Sequence, residues 1–379
     1  MDVHFYRAYG DLRSIMLPKR VTVIHGPRRV GKTTLINRFL DSQGPQSRIL
    51  RVTGDNLSVI ALLSSQEAKP LLDWASGYDT VFIDEAQRIP TIGLSLKLLI
   101  DARPELTIIA TGSSSFDLAD KLGDSSAEWL LPFKLYPLSV GELRHSFNDF
   151  ELKKDLEDLL IYGMYPEVRT ADSSSRKRII LNELIDGYAL KDILELERIK
   201  KPKVLSNLLS LIALQVGSEV SLNELAGKLM IDMKTVERYL DLLEKCFILY
   251  NLRGFSRNLR SEVIRTSKYY FYDTGLRNAV IQNYNPLALR NDAGPLWENF
   301  MVMERLKARS YGGIFARDYF WRTWEQQEID LLEDYDGRLH AYEFKWSPKK
   351  TPKVPRLFQE TYPDSSFVAV SPDNFLEWV

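Results

Sequence analysis

Cysteine is nearly absent from this chain of 379 residues, because Cys246 is the single one. One thiol cannot form an intramolecular disulfide or supply the several thiolates of a cysteine-based zinc site. Long apolar runs are also missing: no stretch approaches the roughly 18 apolar residues of a membrane span. The opening residues lack the apolar core of a signal peptide. We therefore expect a cytoplasmic protein in a reducing compartment, with no contact to the membrane.

The chain also lacks a bias in charge, with 50 lysines and arginines against 51 aspartates and glutamates. This balance neither indicates nor excludes nucleic acid as a partner, so any basic surface must be local. The length exceeds what one typical hydrophobic core supports. We predict three domains, over residues 1–140, 141–285 and 286–379.

Extended and helical patterns alternate over the first domain. Apolar runs typical of buried strands lie at 20–25, 48–53, 80–85 and 106–112, with helical patterns such as 92–102 between them. This alternation predicts an α/β fold with a parallel sheet that is covered on both faces. The later chain is predicted to have helices over 149–163, 176–199, 203–216 and 296–309, a β-like region at 246–272, and extended segments at 317–323, 328–333 and 338–346.

A phosphate-binding motif follows the first strand. Residues 26–33 read GPRRVGKT, which is G-x-x-x-x-G-K-T between a strand and a helix. Gly26 and Gly31 let the backbone curl so that its N–H groups face phosphates, and the helix adds its positive end. Lys32 would supply charge to the β- and γ-phosphates, and Thr33 would offer a hydroxyl to Mg²⁺. The predicted nucleotide contacts are Gly26, Pro27, Arg28, Arg29, Val30, Gly31, Lys32, Thr33 and Thr34.

Acidic and hydroxyl residues end the next strands of this domain. Asp84 and Glu85 close a buried strand at the edge where parallel sheets bind ligands. We expect Asp84 to hold Mg²⁺ through water and Glu85 to polarise the attacking water. Thr111 and Ser113 end the following strand and would sense the γ-phosphate or the water, although a serine-rich helix cap is the alternative for Ser113. The predicted catalytic set is Lys32, Glu85, Thr111 and Ser113.

Several motifs together resemble one family. GPRRVGKTTL (26–35), FIDEAQRIP (82–90) and ATGSSSFDL (110–118) are similar to the prokaryotic AAA+ (AAA_14-like) P-loop ATPases that carry a C-terminal DUF4143 domain, as are YPLSVGEL (136–143), YGMYPEV (162–168) and YALKDIL (188–194). The resemblance implies an AAA+ parallel sheet, a helical and winged-helix segment, and a nuclease-like α/β C-terminal domain. Residues 122–125 depart from the family, because its usual arginine is missing there. Arg28, Arg29 and Arg88 are the other candidates for charge near the phosphates.

Two short helices joined by a tight turn are predicted after residue 220. Ser221 and Glu224 have the spacing of a capping box, and Asp232 can cap the second helix. Such a pair suits a helix-turn-helix, and the basic residues that follow suit the wing of a winged helix. The predicted DNA contacts are Lys234, Arg238, Arg253, Arg257 and Arg260. The alternative is a helix pair that only packs against protein.

Four ionisable residues of the last domain resemble the PD-(D/E)xK nuclease site. Glu298 lies on a predicted helix, and Asp330 lies on an extended segment. Glu343 and Lys345 lie two apart on the next segment, so on a strand they point the same way. In such sites carboxylates hold a metal ion and the lysine helps to activate water. The alternative is a solvent-facing strand of alternating charges, and a fold alone does not establish cleavage.

We expect an ATPase whose nucleotide state controls a DNA-binding winged helix and the nuclease-like domain. One alternative is a nucleotide-dependent switch or scaffold with protein partners only. Another is a metal-dependent nuclease gated by ATP. ATP and Mg²⁺ are the expected cofactors and DNA the expected macromolecular partner, whereas a protein partner, an oligomer and the choice of ATP over GTP stay open.

Overall fold

The computed structural model describes residues 4–113, 129–189, 202–255, 267–323, 325–347 and 352–379. They belong to two compact units: Arg7–Tyr136 with Lys245–Phe247, and Met1–Tyr6 with Pro137–Glu244 and Ile248–Val379. Within these described ranges no helix has the length and apolarity needed to cross a bilayer. The limits predicted for three domains at residues 140 and 285 stay a prediction.

The first unit is built on a parallel sheet of five strands: β1 (Val21–His25), β2 (Ile49–Thr53), β3 (Thr80–Asp84), β4 (Thr107–Gly112) and β5 (Leu130–Lys134). Their order is β2-β3-β4-β1-β5, and every neighbouring pair is parallel. The predicted parallel sheet is therefore confirmed. Strand β5 was not predicted. Since β4 lies between β1 and β3, the carboxyl ends of these three strands are neighbours at one edge.

The helices of this unit are α1 (Lys32–Asp41), α2 (Leu57–Leu63), α3 (Ala68–Ala75) and α4 (Ile92–Ala102). Consecutive residues of the central strands are buried on both faces, as in Val81, Phe82 and Ile83 of β3. This is the burial expected where helices cover both sides of a parallel sheet. The core on one face joins Val81 and Ile108 of the strands to Leu96 of α4.

The second unit contains most of the described helices. They are α5 (Val140–Leu143), α6 (Asp149–Tyr162), α7 (Pro166–Arg169), α8 (Ser174–Glu183), α9 (Pro202–Leu214), α10 (Leu222–Leu229), α11 (Met233–Lys245), α12 (Thr274–Val280), α13 (Ala293–Tyr311) and α14 (Arg356–Thr361). The helix predicted over 176–199 is present as α8, followed by a π-helical stretch at Leu184–Ala189. The remainder of that prediction, from residue 190, lies outside the described residues.

A mixed sheet of six strands completes the second unit. Its strands are β6 (Leu249–Gly254), β7 (Ser267–Phe271), β8 (Arg317–Arg322), β9 (Glu328–Tyr335), β10 (Arg338–Phe344) and β11 (Ser366–Val370), in the order β11-β10-β9-β8-β6-β7. Strands β6 and β7 form an antiparallel pair, and β6 also pairs in parallel with β8. One sheet thus contains strands from both sides of residue 285.

Candidate functional site

The loop between β1 and α1 has a backbone that depends on its glycines. Gly26 has a φ of 149° and Gly31 a φ of 93°, both in the region that side chains disfavour. A Cβ atom added to Gly26 would lie 2.0 Å from the carbonyl oxygen of Leu135. Gly31 in the left-handed conformation directly precedes Lys32, the first residue of α1. The two glycines of the predicted motif therefore allow the strand, loop and helix to join.

Two buried cations hold this loop. The Lys32 ammonium donates to the carbonyl oxygens of Gly26 at 2.9 Å and of Pro27 at 2.8 Å. The Arg7 guanidinium donates to the carbonyl oxygen of Val30 at 2.9 Å and to that of Tyr136 at 2.7 Å. Arg7 was not predicted, because no motif surrounds it. Positive charge is thus concentrated at the loop, as a site for phosphate requires.

The end of β1 carries a half-buried histidine directly before the loop. Burial, and then the charges of Lys134 and Lys32, lowers the pKa of His25 to about 3, so its imidazole is neutral at physiological pH. Burial also lowers the pKa of Lys134. The ring centroids of His25 and Phe247 are 5.9 Å apart, and the Lys134 ammonium lies 5.2 Å from the Phe247 ring. The residue directly before the loop, His25, is therefore packed beside an aromatic ring that also contacts a lysine.

The Asp84 carboxylate accepts hydrogen bonds from hydroxyl groups on two other elements. The Thr33 hydroxyl on α1 donates to the Asp84 carboxylate, with both oxygens at 3.0 Å. The Thr111 hydroxyl on β4 donates to Asp84 Oδ1, and it accepts the backbone N–H of Glu85 at 2.9 Å. The structure therefore brings together three residues that the sequence placed in three separate motifs. Their oxygen atoms are of the kind that Mg²⁺ prefers, so Thr33 and Asp84 fit this ion.

Glu85 is held by a glutamine that was not predicted. Glu85 has a left-handed backbone with a φ of 51°. Its Oε2 atom accepts a hydrogen bond from Gln87 Nε2 at 2.5 Å and lies 3.4 Å from the Ser113 hydroxyl. Gln87 Nε2 also donates to Ser113 Oγ at 3.0 Å. Predicted Ser113 thus lies beside Glu85, and the signal for Gln87 was its place in the FIDEAQRIP motif.

The remaining predicted residues of the nucleotide site differ in exposure. Val30 is buried, whereas Thr34 is exposed on α1. The Arg88 guanidinium forms an ion pair with Asp55, so this candidate for phosphate charge already has a carboxylate partner. Residues 122–125, where the family's arginine is missing, lie outside the described residues.

The predicted helix pair is present as α10 and α11. The Ser221 side chain accepts the backbone N–H of Glu224 at 3.3 Å, while the Glu224 carboxylate pairs with Lys228. The Asp232 side chain accepts the backbone N–H of Thr235 at 2.9 Å and caps α11 as predicted. The pair is tied to the β6–β7 hairpin, because the N–H of Val220 donates to the carbonyl oxygen of Ser267 at 2.9 Å.

The predicted DNA contacts fall into two groups. Lys234 and Arg238 are exposed on α11, and Arg253 is exposed on β6. Glu237, also exposed on α11, lies between the two cations in sequence and reduces the local positive charge. The others, Arg257 and Arg260, lie outside the described residues.

The C-terminal carboxylates form a cluster with lysines. The Lys345 ammonium lies 2.6 Å from Glu343 Oε1 and 3.8 Å from Asp330 Oδ2, and Asp330 also accepts the N–H of Phe344 at 2.7 Å. Glu298, on α13, instead meets groups from β7. Its Oε1 atom accepts the Tyr270 hydroxyl at 2.6 Å and lies 3.3 Å from the Lys268 ammonium.

Lys268 is the cation that the nuclease-like pattern did not contain. Its side chain is only 2% exposed, and it forms ion pairs with both Glu298 and Glu328. Burial opposes the charge of Lys268, yet Glu298, Asp330 and Glu328 raise its pKa above the ordinary value. Burial, followed by the charge of Asp330, raises the pKa of Glu298 to about 8 and that of Glu343 to about 7. Both carboxyl groups therefore lose their protons at a higher pH than an ordinary glutamate does.

Family models match three consecutive parts of the chain. Residues 18–144 match an AAA domain, and residues 153–287 match a domain of unknown function, DUF8612. Residues 293–375 match another domain of unknown function, DUF4143. The chain joins an AAA domain to a DUF4143 domain. The resemblance inferred from the motifs is thereby confirmed, and the DUF8612 match covers the α10–α11 pair and the β6–β7 hairpin.

Relatives in bacteria and archaea share more than one of these domains. An uncharacterised protein of Mycobacterium tuberculosis is 28% identical over 363 residues, which are 94% of this chain and 77% of the relative. One of Methanocaldococcus jannaschii is 25% identical over 343 residues, 85% of this chain and 74% of the relative. One of Haemophilus influenzae is 27% identical over 282 residues, 69% of each chain. The similarity to the first two extends well beyond the AAA domain.

The carboxylates of the DUF4143 cluster are paired with lysines in this structure. Among the described residues, no group of three or more histidine, cysteine, aspartate or glutamate side chains is arranged to hold a metal. Lys268 and Lys345 instead provide the positive charge beside the carboxylates. The predicted nuclease site of Glu298, Asp330, Glu343 and Lys345 stays a prediction.

The burial of Lys268 predicts a large effect on stability. Lys268→Met removes the ammonium group but keeps a flexible chain in the same space. We expect the free energy of unfolding, measured by urea denaturation, to fall by about 3–5 kcal/mol, because two half-buried carboxylates lose their buried partner. Lys345→Met is the matched control. Its side chain is 44% exposed, so water screens the charge and we expect a loss of about 1 kcal/mol or less. Equal losses would contradict the assignment.

The raised pKa of Glu298 predicts how stability depends on pH. Its folded pKa of about 8 exceeds the ordinary value of 4.5, so the folded state holds this proton more tightly. The resulting stabilisation is present in full below the ordinary pKa and is lost as the pH rises through about 8. In Glu298→Gln we expect the melting temperature to fall less steeply over this range. Glu360→Gln, at an exposed position, should keep the wild-type slope, and an unchanged slope in Glu298→Gln would refute the prediction.

Proposed function

We propose that the AAA domain binds ATP with Mg²⁺ and hydrolyses the γ-phosphate. The observation that carries this proposal is the meeting of Lys32, Asp84 and Glu85 at one edge of the first sheet. Lys32 lies across the loop, Asp84 accepts the Thr33 hydroxyl, and Glu85 directly follows Asp84, the last residue of β3. A family match to an AAA domain over residues 18–144 supports the same activity.

Each protein group has a role that its chemistry supports. The loop N–H groups and the positive end of α1 bind the phosphates, and Lys32 exchanges its carbonyl partners for phosphate oxygens. Thr33 and Asp84 hold Mg²⁺, which neutralises charge on those oxygens when bound. Glu85 accepts a proton from water as the water oxygen bonds to the γ-phosphorus. The bond from that phosphorus to the bridging oxygen breaks, and its electron pair leaves with ADP.

Two substitutions separate binding from hydrolysis. We expect Lys32→Ala to weaken the binding of Mg-ATP by about 10- to 150-fold, since hydrogen bonds to charged groups contribute roughly 1.5–3 kcal/mol. Glu85→Gln should preserve binding and lower the rate of phosphate release by about 10²- to 10⁴-fold, because the general base is lost. Calorimetry measures the first effect and a phosphate-release assay the second.

Lys69→Ala and Glu105→Gln are matched controls, because both side chains are exposed elsewhere in the same unit. Both should behave as wild type. A folded wild-type protein that gives no heat with Mg-ATP or Mg-GTP would end the proposal. Comparison of the two nucleotides in the same titration identifies the preferred base.

We extend the proposal to DNA through the α10–α11 pair and the β6–β7 hairpin, whose nucleotide-dependent repositioning would couple ATP turnover to DNA. Lys234 and Arg238 are exposed on the second helix of the pair, and Arg253 is exposed on the hairpin. This placement is typical of a recognition helix and a wing that contact phosphates. A nucleotide switch with only protein partners is the alternative. Stimulation of ATP turnover by DNA would favour the DNA-binding function over this alternative.

Reversal of these three charges to glutamate should weaken the binding of a short DNA duplex by at least about tenfold and reduce its dependence on salt, because phosphate contacts are lost. Fluorescence anisotropy at several salt concentrations measures both effects. A control with the same change in net charge carries glutamate at three other exposed cations, Lys69, Lys203 and Arg356. Equal weakening in both triple variants would show that only net charge matters. Cleavage gated by ATP, a cytoplasmic location and oligomer formation stay predictions.

A further inference from the structure

Glu85 has one carboxylate oxygen in a fixed environment. Gln87 Nε2 contacts both Glu85 Oε2, at 2.5 Å, and Ser113 Oγ, at 3.0 Å. The Ser113 hydroxyl lies 3.4 Å from the same Oε2 atom. Glu85 Oε1 has no hydrogen bond to any residue in the part of the chain that the structure describes. The two oxygens of this carboxylate are therefore in different surroundings.

The groups that hold Oε2 are themselves firmly placed. Gln87 is 6% exposed and Ser113 is 9% exposed, so both are shielded from water. Gln87 lies in a short 3₁₀ helix, Ala86–Arg88, which begins directly after Glu85. Ser113 directly follows β4, whose Thr111 binds the backbone N–H of Glu85. Two neighbouring segments thus fix both the backbone and the side chain of Glu85.

The chemistry of an amide suits this position. The NH₂ group of glutamine has two hydrogens, which match the two acceptors in contact with it. The amide group is a neutral hydrogen-bond donor that does not transfer its proton. It can therefore orient the Glu85 carboxylate and leave it able to act as a base. A general base must lie within hydrogen-bonding reach of the proton that it removes, and small errors in position reduce the rate strongly.

We propose that Gln87 and Ser113 are positioning residues for hydrolysis, which hold Glu85 Oε2 so that Oε1 receives the proton of the attacking water. This inference rests on the function proposed above, because it assumes that Glu85 is the base. Gln87 and Ser113 act only through Glu85. Their loss should therefore change catalysis and leave nucleotide binding nearly intact.

The first experiment compares Gln87→Met with wild type. Methionine has a similar length and lacks the donor. We expect kcat for ATP to fall by about 10- to 100-fold, as for a misplaced catalytic group. KM and the dissociation constant of Mg-ATP should change less than about twofold, because binding does not use this contact.

Gln359→Met, at an exposed position on α14, is the matched control and should keep the wild-type kcat. Ser113→Ala provides an independent variant if Gln87→Met does not fold, as judged by circular dichroism. It should lower kcat by a smaller factor, and the double variant should lower kcat by less than the product of the two single effects.

The deciding measurement repeats Gln87→Met in a Glu85→Gln background. If Gln87 acts through Glu85, the second change should leave the residual rate the same within about twofold. A full additional loss in that background, or an unchanged kcat in Gln87→Met alone, would overturn the inference. Loss of Mg-ATP binding in parallel with kcat would also overturn it. If Glu85→Gln itself hydrolyses ATP at the wild-type rate, Glu85 is not the base and this inference fails. If the folded wild-type protein does not hydrolyse ATP at all, the proposed function itself has failed.

Discussion

The proposed nucleotide site depends on the contacts of the Asp84 carboxylate with two hydroxyl groups. The carboxylate receives one hydroxyl from α1, which follows β1, and another from β4. This is feasible because β4 lies between β1 and β3 in the sheet, so Thr111 stands between the phosphate loop and the acidic residues. The sheet therefore brings widely separated residues together, and Thr111 links the Asp84 carboxylate to the backbone of Glu85.

Much of the AAA domain could be predicted, because its signals are local. Buried apolar runs marked β1 to β4, and the spacing of glycine, lysine and threonine marked the loop. The residues that sequence reasoning missed have partners far along the chain. Gln87 contacts a residue 26 positions away, and Arg7 binds a carbonyl group 129 positions away. Strand β5 was not predicted for another reason. Its residues are half-buried and include the exposed Pro132, so they do not form the continuous apolar run of the central strands.

The C-terminal cluster shows a related limit of motif reasoning. Glu298, Asp330, Glu343 and Lys345 match a recognised pattern of residue types and were predicted together. Lys268, 30 positions before Glu298, belongs to no such pattern. The buried Lys268 ammonium offsets part of the charge of Glu298 and Glu328. It could join the cluster because β6 and β7 share a sheet with β8 to β11.

The chain passes between its two compact units after residues 6, 136, 244 and 247. The short segment Lys245–Phe247 belongs to the AAA unit, although α11 and β6 on either side belong mainly to the other. Within that segment Phe247 packs beside His25, directly before the phosphate loop. A recombinant fragment that stops near residue 140 would lack this ring and expose the surface that it covers. The first unit, which contains the AAA domain, is therefore built from two separate segments of the chain. No single truncation produces a fragment that contains all of it and nothing else.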